Sequence, residues 1–164
     1  LLWEPCPKCG VEGPATETFC GSCGTNIVVA FQVRVSRFDA DVARALEFRQ
    51  KADYEKALDI LSKCQRVDPL RLETRLAEAR NLVKELTAER DRRLMEAQAV
   101  LTQGKELEAA HAFETAVIKL EEVPDPLRSD EIKSYLEALA EDREIDNQLL
   151  LGEDETPADE RILI

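Results

Sequence analysis

The sequence predicts a mainly α-helical chain headed by a small β-hairpin that carries a cluster of cysteines. Three observations point there. Four of the five cysteines fall in two Cys-x2-Cys pairs, Cys6/Cys9 and Cys20/Cys23. Beyond about residue 38 apolar residues recur at three- and four-residue spacing, the period of a helix with one buried face. Between Pro69 and Gly104 there is neither glycine nor proline, which leaves room for one long helix. Together they divide the chain into a cysteine unit at 1–37, a helical body at 38–150 and an acidic tail with an apolar end at 151–164.

In the cysteine unit, Cys6-Pro7-Lys8-Cys9-Gly10 and Cys20-Gly21-Ser22-Cys23-Gly24 repeat one turn chemistry. Each pair offers two thiolates to one ion, and two pairs close a tetrahedron with no position left for water or substrate, so Cys6, Cys9, Cys20 and Cys23 are the predicted ligands of a structural Zn2+. Gly10 and Gly24 follow the second cysteine of each pair, where a residue without Cβ takes a positive φ freely. Pro7 stiffens the first turn, and Gly13-Pro14 marks a turn in the linking segment. The stretches CPKCG and FCGSCG resemble the zinc ribbon family over residues 3–35. That resemblance implies two knuckles at the ends of a small sheet clamping zinc, in a family whose members read nucleic acid, dock subunits or act as structural staples.

Other fates for the cysteines fit less well. A disulfide framework usually has an even count, and here Cys64 is left over inside a helical pattern. An iron site of the rubredoxin kind uses similar turns but sets them further apart in a larger core. A thioredoxin-like redox pair would need a surrounding βαβ pattern.

Leu1-Leu2-Trp3 is apolar enough to be expected to pack on the hairpin or on a neighbour. After the second pair, Ile27–Val35 reads IVVAFQVRV, and its β-branched residues predict a strand closing the small sheet; an extended segment along the helices is the alternative. Ser36–Asp39 is then the hinge, with Asp39 or Asp41 as the helix cap.

From Asp41 to Val67 two amphipathic segments follow. Ala45, Phe48, Ala52, Tyr54, Ala57, Leu61, Cys64 and Pro69, with QKADYEKAL between the segments, resemble a tetratricopeptide repeat over 38–71. The resemblance implies paired helices, with small residues at crossing points and a proline to end the second. Asp41 and Arg44 stand where that family has large apolar residues. The long helix follows, its seam running through Leu72, Leu76, Ala79, Val83, Leu86, Leu94, Ala97 and Leu101 and fading into the charged ERDRR, which predicts a solvated face. A stop or bend is expected at Gln103-Gly104-Lys105. Ala97, Gly104, Ala109, Phe113 and Ala116 resemble a second, degenerate repeat over 90–123, with Glu106 in place of the usual tyrosine and the proline delayed to Pro124.

Pro124-Asp125-Pro126 breaks the chain, and a last amphipathic helix is predicted from about Leu127 to Leu150, with Ile132, Tyr135, Leu136, Leu139 and Ile145 inward. The tail mixes GEDETPADE, a composition that favours disorder, with Arg161-Ile162-Leu163-Ile164, which is expected to dock on its own helices or on another chain.

Acidic side chains outnumber basic ones 34 to 22, and the net charge of −12 disfavours nucleic acid and anionic lipid as partners. Residues 1–37 carry only Lys8, Arg34 and Arg37 as basic groups. The longest apolar run is too short for a membrane span. A chain opening on Leu1 rather than Met reads as a fragment or processed form, and free thiols suggest a reducing compartment, the cytoplasm. No catalytic residues are predicted. His111 is alone and placed in a helix without a nucleophile motif, and Cys64 reads as a small packing residue. The function expected is a non-catalytic interaction, scaffold or assembly module binding a protein or peptide, itself or other subunits. A regulatory segment of a larger multidomain enzyme such as a kinase, and a nucleic-acid-binding zinc ribbon protein, are the alternatives.

Overall fold

The computed structural model describes residues 3–152. Strands β1 (Trp3–Pro5) and β2 (Glu12–Pro14) form an antiparallel hairpin with Trp3 opposite Pro14 and Pro5 opposite Glu12. Helices follow: α1 (Ile27–Gln50), α2 (Tyr54–Gln65), α3 (Glu73–Ala109), α4 (Phe113–Glu121), a single 3₁₀ turn at Asp125–Leu127, and α5 (Asp130–Gly152). The mainly α class, the hairpin and the long helix, α3 at 37 residues, are as the sequence predicts. The chain divides into two compact units, Leu1–Arg90 and Asp91–Ile164.

Within the first unit the predicted strand at Ile27–Val35 is helix. The Asn26 side chain accepts from the Val29 amide at 3.0 Å and starts α1, which then runs unbroken through the expected hinge at Ser36–Asp39. Each β-branched residue costs a helix only tenths of a kcal/mol, and packing overrides that. Phe31, Phe38 and Ala45 are buried and Val35 and Val42 half-buried in one stripe at helical spacing, with Val28, Val29 and Val33 left outward. Neither aspartate caps: Asp39 pairs with Arg75 at 2.8 Å and Asp41 with Arg44 at 3.7 Å. Trp3, expected to pack, is largely exposed.

α1 and α2 pair through a three-residue turn. Ala52 sits there at φ 57°, and the Asp53 carboxylate caps α2 by accepting from the Lys56 amide at 3.3 Å. Ala45 and Ala57 are fully buried, as close helix approach requires. Phe38, Cys64, Leu72, Leu76 and Ala79 form the core beneath the first part of α3, so Cys64 is a packing residue. Further along α3, Glu89 takes a hydrogen bond from Tyr54 at 2.9 Å and one from Arg49 at 2.6 Å.

The second unit differs from the reading in register. Gly104 does not end α3; the turn comes at Ala110–Ala112, and His111, expected in a helix, occupies it at φ 60° with its side chain exposed. This turn copies the one after α1. The amides of Ala52 and Asp53 donate to Arg49 and Phe48, and those of His111 and Ala112 donate to Glu108 and Leu107. Superposing the turns sets Gly104 with Ala45, Ala116 with Ala57, Leu120 with Leu61 and Val123 with Cys64, rather than Ala97 with Ala45. Gly104 is tolerated because a Cβ there would lie 3.1 Å from Leu120 Cδ1. Leu94 and Ile145, both predicted inward, are exposed, whereas Ile132 and Leu139 of α5 are buried. α5 starts at Asp130, with Ser129 Oγ accepting from the Ile132 amide at 3.3 Å. The expectations for Leu1-Leu2 and for the tail at 153–164 lie outside the described residues.

Candidate metal centre

Both Cys-x2-Cys segments fold into the same turn. In the first, the Gly10 amide donates to Cys6 O and the Cys6 amide to Val11 O, both at 2.9 Å; in the second, Gly24 donates to Cys20 O at 2.8 Å and Cys20 to Thr25 O at 2.9 Å. Gly10 and Gly24 take φ 75° and 69°, the conformation anticipated for them. The loop of the β1–β2 hairpin is the first turn itself. Pro14 begins a separate turn, closed by the Glu17 amide on Pro14 O at 3.0 Å. A bridge between Phe19 and Asn26 brackets the second turn and delivers the chain into α1.

The two turns face each other. The sulfurs of Cys6, Cys9, Cys20 and Cys23 all lie within 4.8 Å of one another, so the four predicted ligands form one group able to hold a metal ion. Cys6 stands 3.7 Å from Cys23 and Cys9 3.7 Å from Cys20. Sulfurs about 2.3 Å from a shared centre at tetrahedral angles would stand about 3.8 Å apart. The spacing therefore suits an ion and is too long for a disulfide, and all five cysteines are free.

The electrostatics of the group suit a cation. Amides of the first turn, from Cys9 and Lys8, hold the Cys6 thiol below its ordinary value. A hydrogen bond to the Thr25 hydroxyl, 3.2 Å from Cys23 Sγ, lowers Cys23 to about 6. For Cys9 the Val11 amide favours the thiolate, yet Cys23, desolvation and the other two sulfurs together push it up to about 11. Four thiolates so close cannot all ionise unless a positive ion offsets their repulsion. Cys6 and Cys20 are buried and Cys9 is exposed. An ion bound tetrahedrally by all four sulfurs would have no position left for a substrate.

Arg71, in the turn before α3, holds the hairpin to the helices. It donates from Nε to Glu4 of β1 at 2.6 Å and from Nη2 to Ala15 O at 3.4 Å, and its guanidinium stacks on Phe31 of α1. The ribbon resemblance gave no sign of this residue. A second feature missed in the sequence is a groove of about 550 Å³ between α1 and the first part of α3, where Val42, Leu46 and Leu82 lie between the Asp39–Arg75 pair and Glu85. In the sequence Leu46 reads with Val42, Ala45 and Phe48 as one apolar face, and its exposure is visible only in the structure.

Burial raises the Cys64 thiol, which keeps it neutral in the core. The ERDRR cluster is paired with acids, Arg90 with Glu55 at 3.3 Å and Arg93 with Glu96 at 3.3 Å, as a solvated face would be. Among the described residues no helix is long and apolar enough to cross a membrane. In comparisons with protein-family models, curated proteins and solved structures, nothing matches this chain.

Proposed function

We propose that this chain is a non-catalytic protein–protein interaction and assembly module. In this reading Cys6, Cys9, Cys20 and Cys23 hold a structural Zn2+, whose binding energy folds a hairpin too small to have a core of its own. The helices are tetratricopeptide-like, a reading supported by the matching turns at Ala52 and His111 and by the small residues Ala45, Ala57, Gly104 and Ala116 at the helix crossings. Their partner is a protein or peptide, another copy of the chain included.

The observation that carries the proposal is the α1–α3 groove. Leu46 and Leu82 leave apolar surface open between rows of charge, the pattern of a surface that buries a partner's aliphatic side chain and orients it with polar contacts. Exposed side chains such as Leu46 lie outside the core cluster and can vary with the partner.

The test is a peptide library selected on the 164-residue chain and counter-selected on Leu46→Arg/Leu82→Arg, with helical content checked by circular dichroism. Peptides bound by the parent and lost on the double variant support the reading. If the selected peptides ignore the groove variant but are lost on Cys20→Ser with its helices still folded, the cysteine head is the binding element and the proposal fails.

A further inference from the structure

We infer that a second cleft, between the first cysteine turn, α1 and α2, binds a short acidic peptide segment of a partner protein through its carboxylates and an aliphatic side chain. The cleft has a volume of about 580 Å³ and shares only Phe38 with the α1–α3 groove. Four basic side chains line it, Lys8 from the turn, Arg34 and Arg37 from α1 and Lys63 from α2, against Asp41 as the lone lining acid. In a chain of net charge −12 that is a local reversal of sign.

Part of this charge is already engaged. Arg34 donates to the backbone carbonyl of Asp68 and lies 3.8 Å from its carboxylate, while Lys63 pairs with Asp59 at 2.5 Å. Asp41 is drawn to Arg44. Among the described residues Lys8 and Arg37 have no ion pair, and the buried Nε of Arg34 has no hydrogen-bond acceptor. A carboxylate entering the cleft would meet donors left unsatisfied by the fold, and charge-assisted bonds of this kind are the stronger ones.

The walls ask for more than charge. Val33 is 57% exposed and Val67 39%, and both face the same space. A free inorganic anion would leave them wet, whereas a segment that places a Leu or Ile beside its Glu or Asp covers them. Nucleic acid satisfies neither demand. The cleft is too small for a duplex, and the chain's net charge of −12 repels a nucleic acid strand at long range. At physiological ionic strength the screening length is about 8 Å, so the charges lining the cleft act on a short segment more than the distant acids do.

The experiment is fluorescence anisotropy with the zinc-replete 164-residue chain. Its probe is an N-acetylated, C-amidated labelled peptide of three glutamates followed by leucine and isoleucine. Binding should weaken about tenfold or more in Arg37→Glu, in Val33→Ser and in high salt, and should survive in Arg37→Lys and in Leu46→Arg/Leu82→Arg. Retention in the groove variant separates this site from the proposed interaction groove, so either can fail alone. Absence of binding, equal binding of a peptide with lysines for glutamates, or indifference to Arg37→Glu and Val33→Ser would overturn the inference. A synthetic peptide of residues 152–164 that binds the cleft about tenfold tighter would assign it to a second copy of this chain and overturn the partner assignment.

Discussion

The guanidinium carbon of Arg71 lies 4.1 Å from the centre of the Phe31 ring. That stack joins the cysteine hairpin to the helical layer, because the same side chain is bonded to Glu4 of β1 and its own backbone sits at φ 58° in the turn that opens α3. Arg71→Ala should lower the stability of the hairpin by about 1–2 kcal/mol through loss of the cation–π contact and the ion pair. Urea titrations followed by Trp3 emission should show the hairpin leaving before the helical signal at 222 nm, and a chelator should strip metal faster. Coincident transitions, unchanged from the parent, would show that the hairpin is held by other contacts. Arg71→Lys should not restore the parent behaviour, since an ammonium cannot stack and fork at once.

Metal content gives a second expectation. The purified chain should carry one zinc per molecule, and Cys9→Ser or exhaustive chelation should release residues 3–26 from hydrogen-exchange protection while most of the helical signal remains. The core of Phe38, Cys64, Leu72, Leu76 and Ala79 takes no side chain from the hairpin. Loss of all helical signal on chelation would contradict that separation.

Asp53 supplies a pH-dependent term. Its hydrogen bond to Lys56, an ion pair of 2.7 Å, together with its cap on α2, holds the carboxyl below the ordinary value. Because the folded-state value is depressed, the stabilisation is complete above the unfolded value of about 4 and is lost as pH falls through the folded one. Asp53→Ala should cost about 1 kcal/mol at pH 7. Thermal or urea melts of parent and variant should converge as the pH drops below about 4. A gap of constant size down to pH 2 would show that the charge is irrelevant.

Gly104 tests the helix crossing of the second unit. An alanine there would gain about 1 kcal/mol of helix propensity on an open surface. Beneath it, however, Leu120 is fully buried and its side-chain carbons would stand 3.1 and 3.2 Å from the new Cβ. Gly104→Ala should therefore be destabilising by about 1 kcal/mol net, and the penalty should shrink when Leu120→Val gives room. Additive effects in that double-mutant cycle would mean that the two positions do not press on each other.

The sequence by itself determined the parts whose cause is local. Two Cys-x2-Cys pairs, each with a following glycine, dictate two like turns. The absence of glycine and proline between Pro69 and Gly104 allows a long helix, and the Ala45, Ala57 and Cys64 pattern dictates a close helix pair. Where the local signal conflicted with packing, only the tertiary structure decided. Ile27–Val35 has strand composition, but among the described residues the sheet consists of two three-residue strands, whereas Phe31, Val35 and Phe38 gain a core by turning helical. Gly104 looks like a stop, yet Leu120 needs the space that its missing Cβ leaves. His111 stands where the chain must take a positive φ, a demand fixed by how α4 folds back on α3 and written in no residue type. Burial against a distant segment is worth more than the tenths of a kcal/mol by which neighbouring residues prefer one backbone conformation, so tertiary contacts settled each of these three segments.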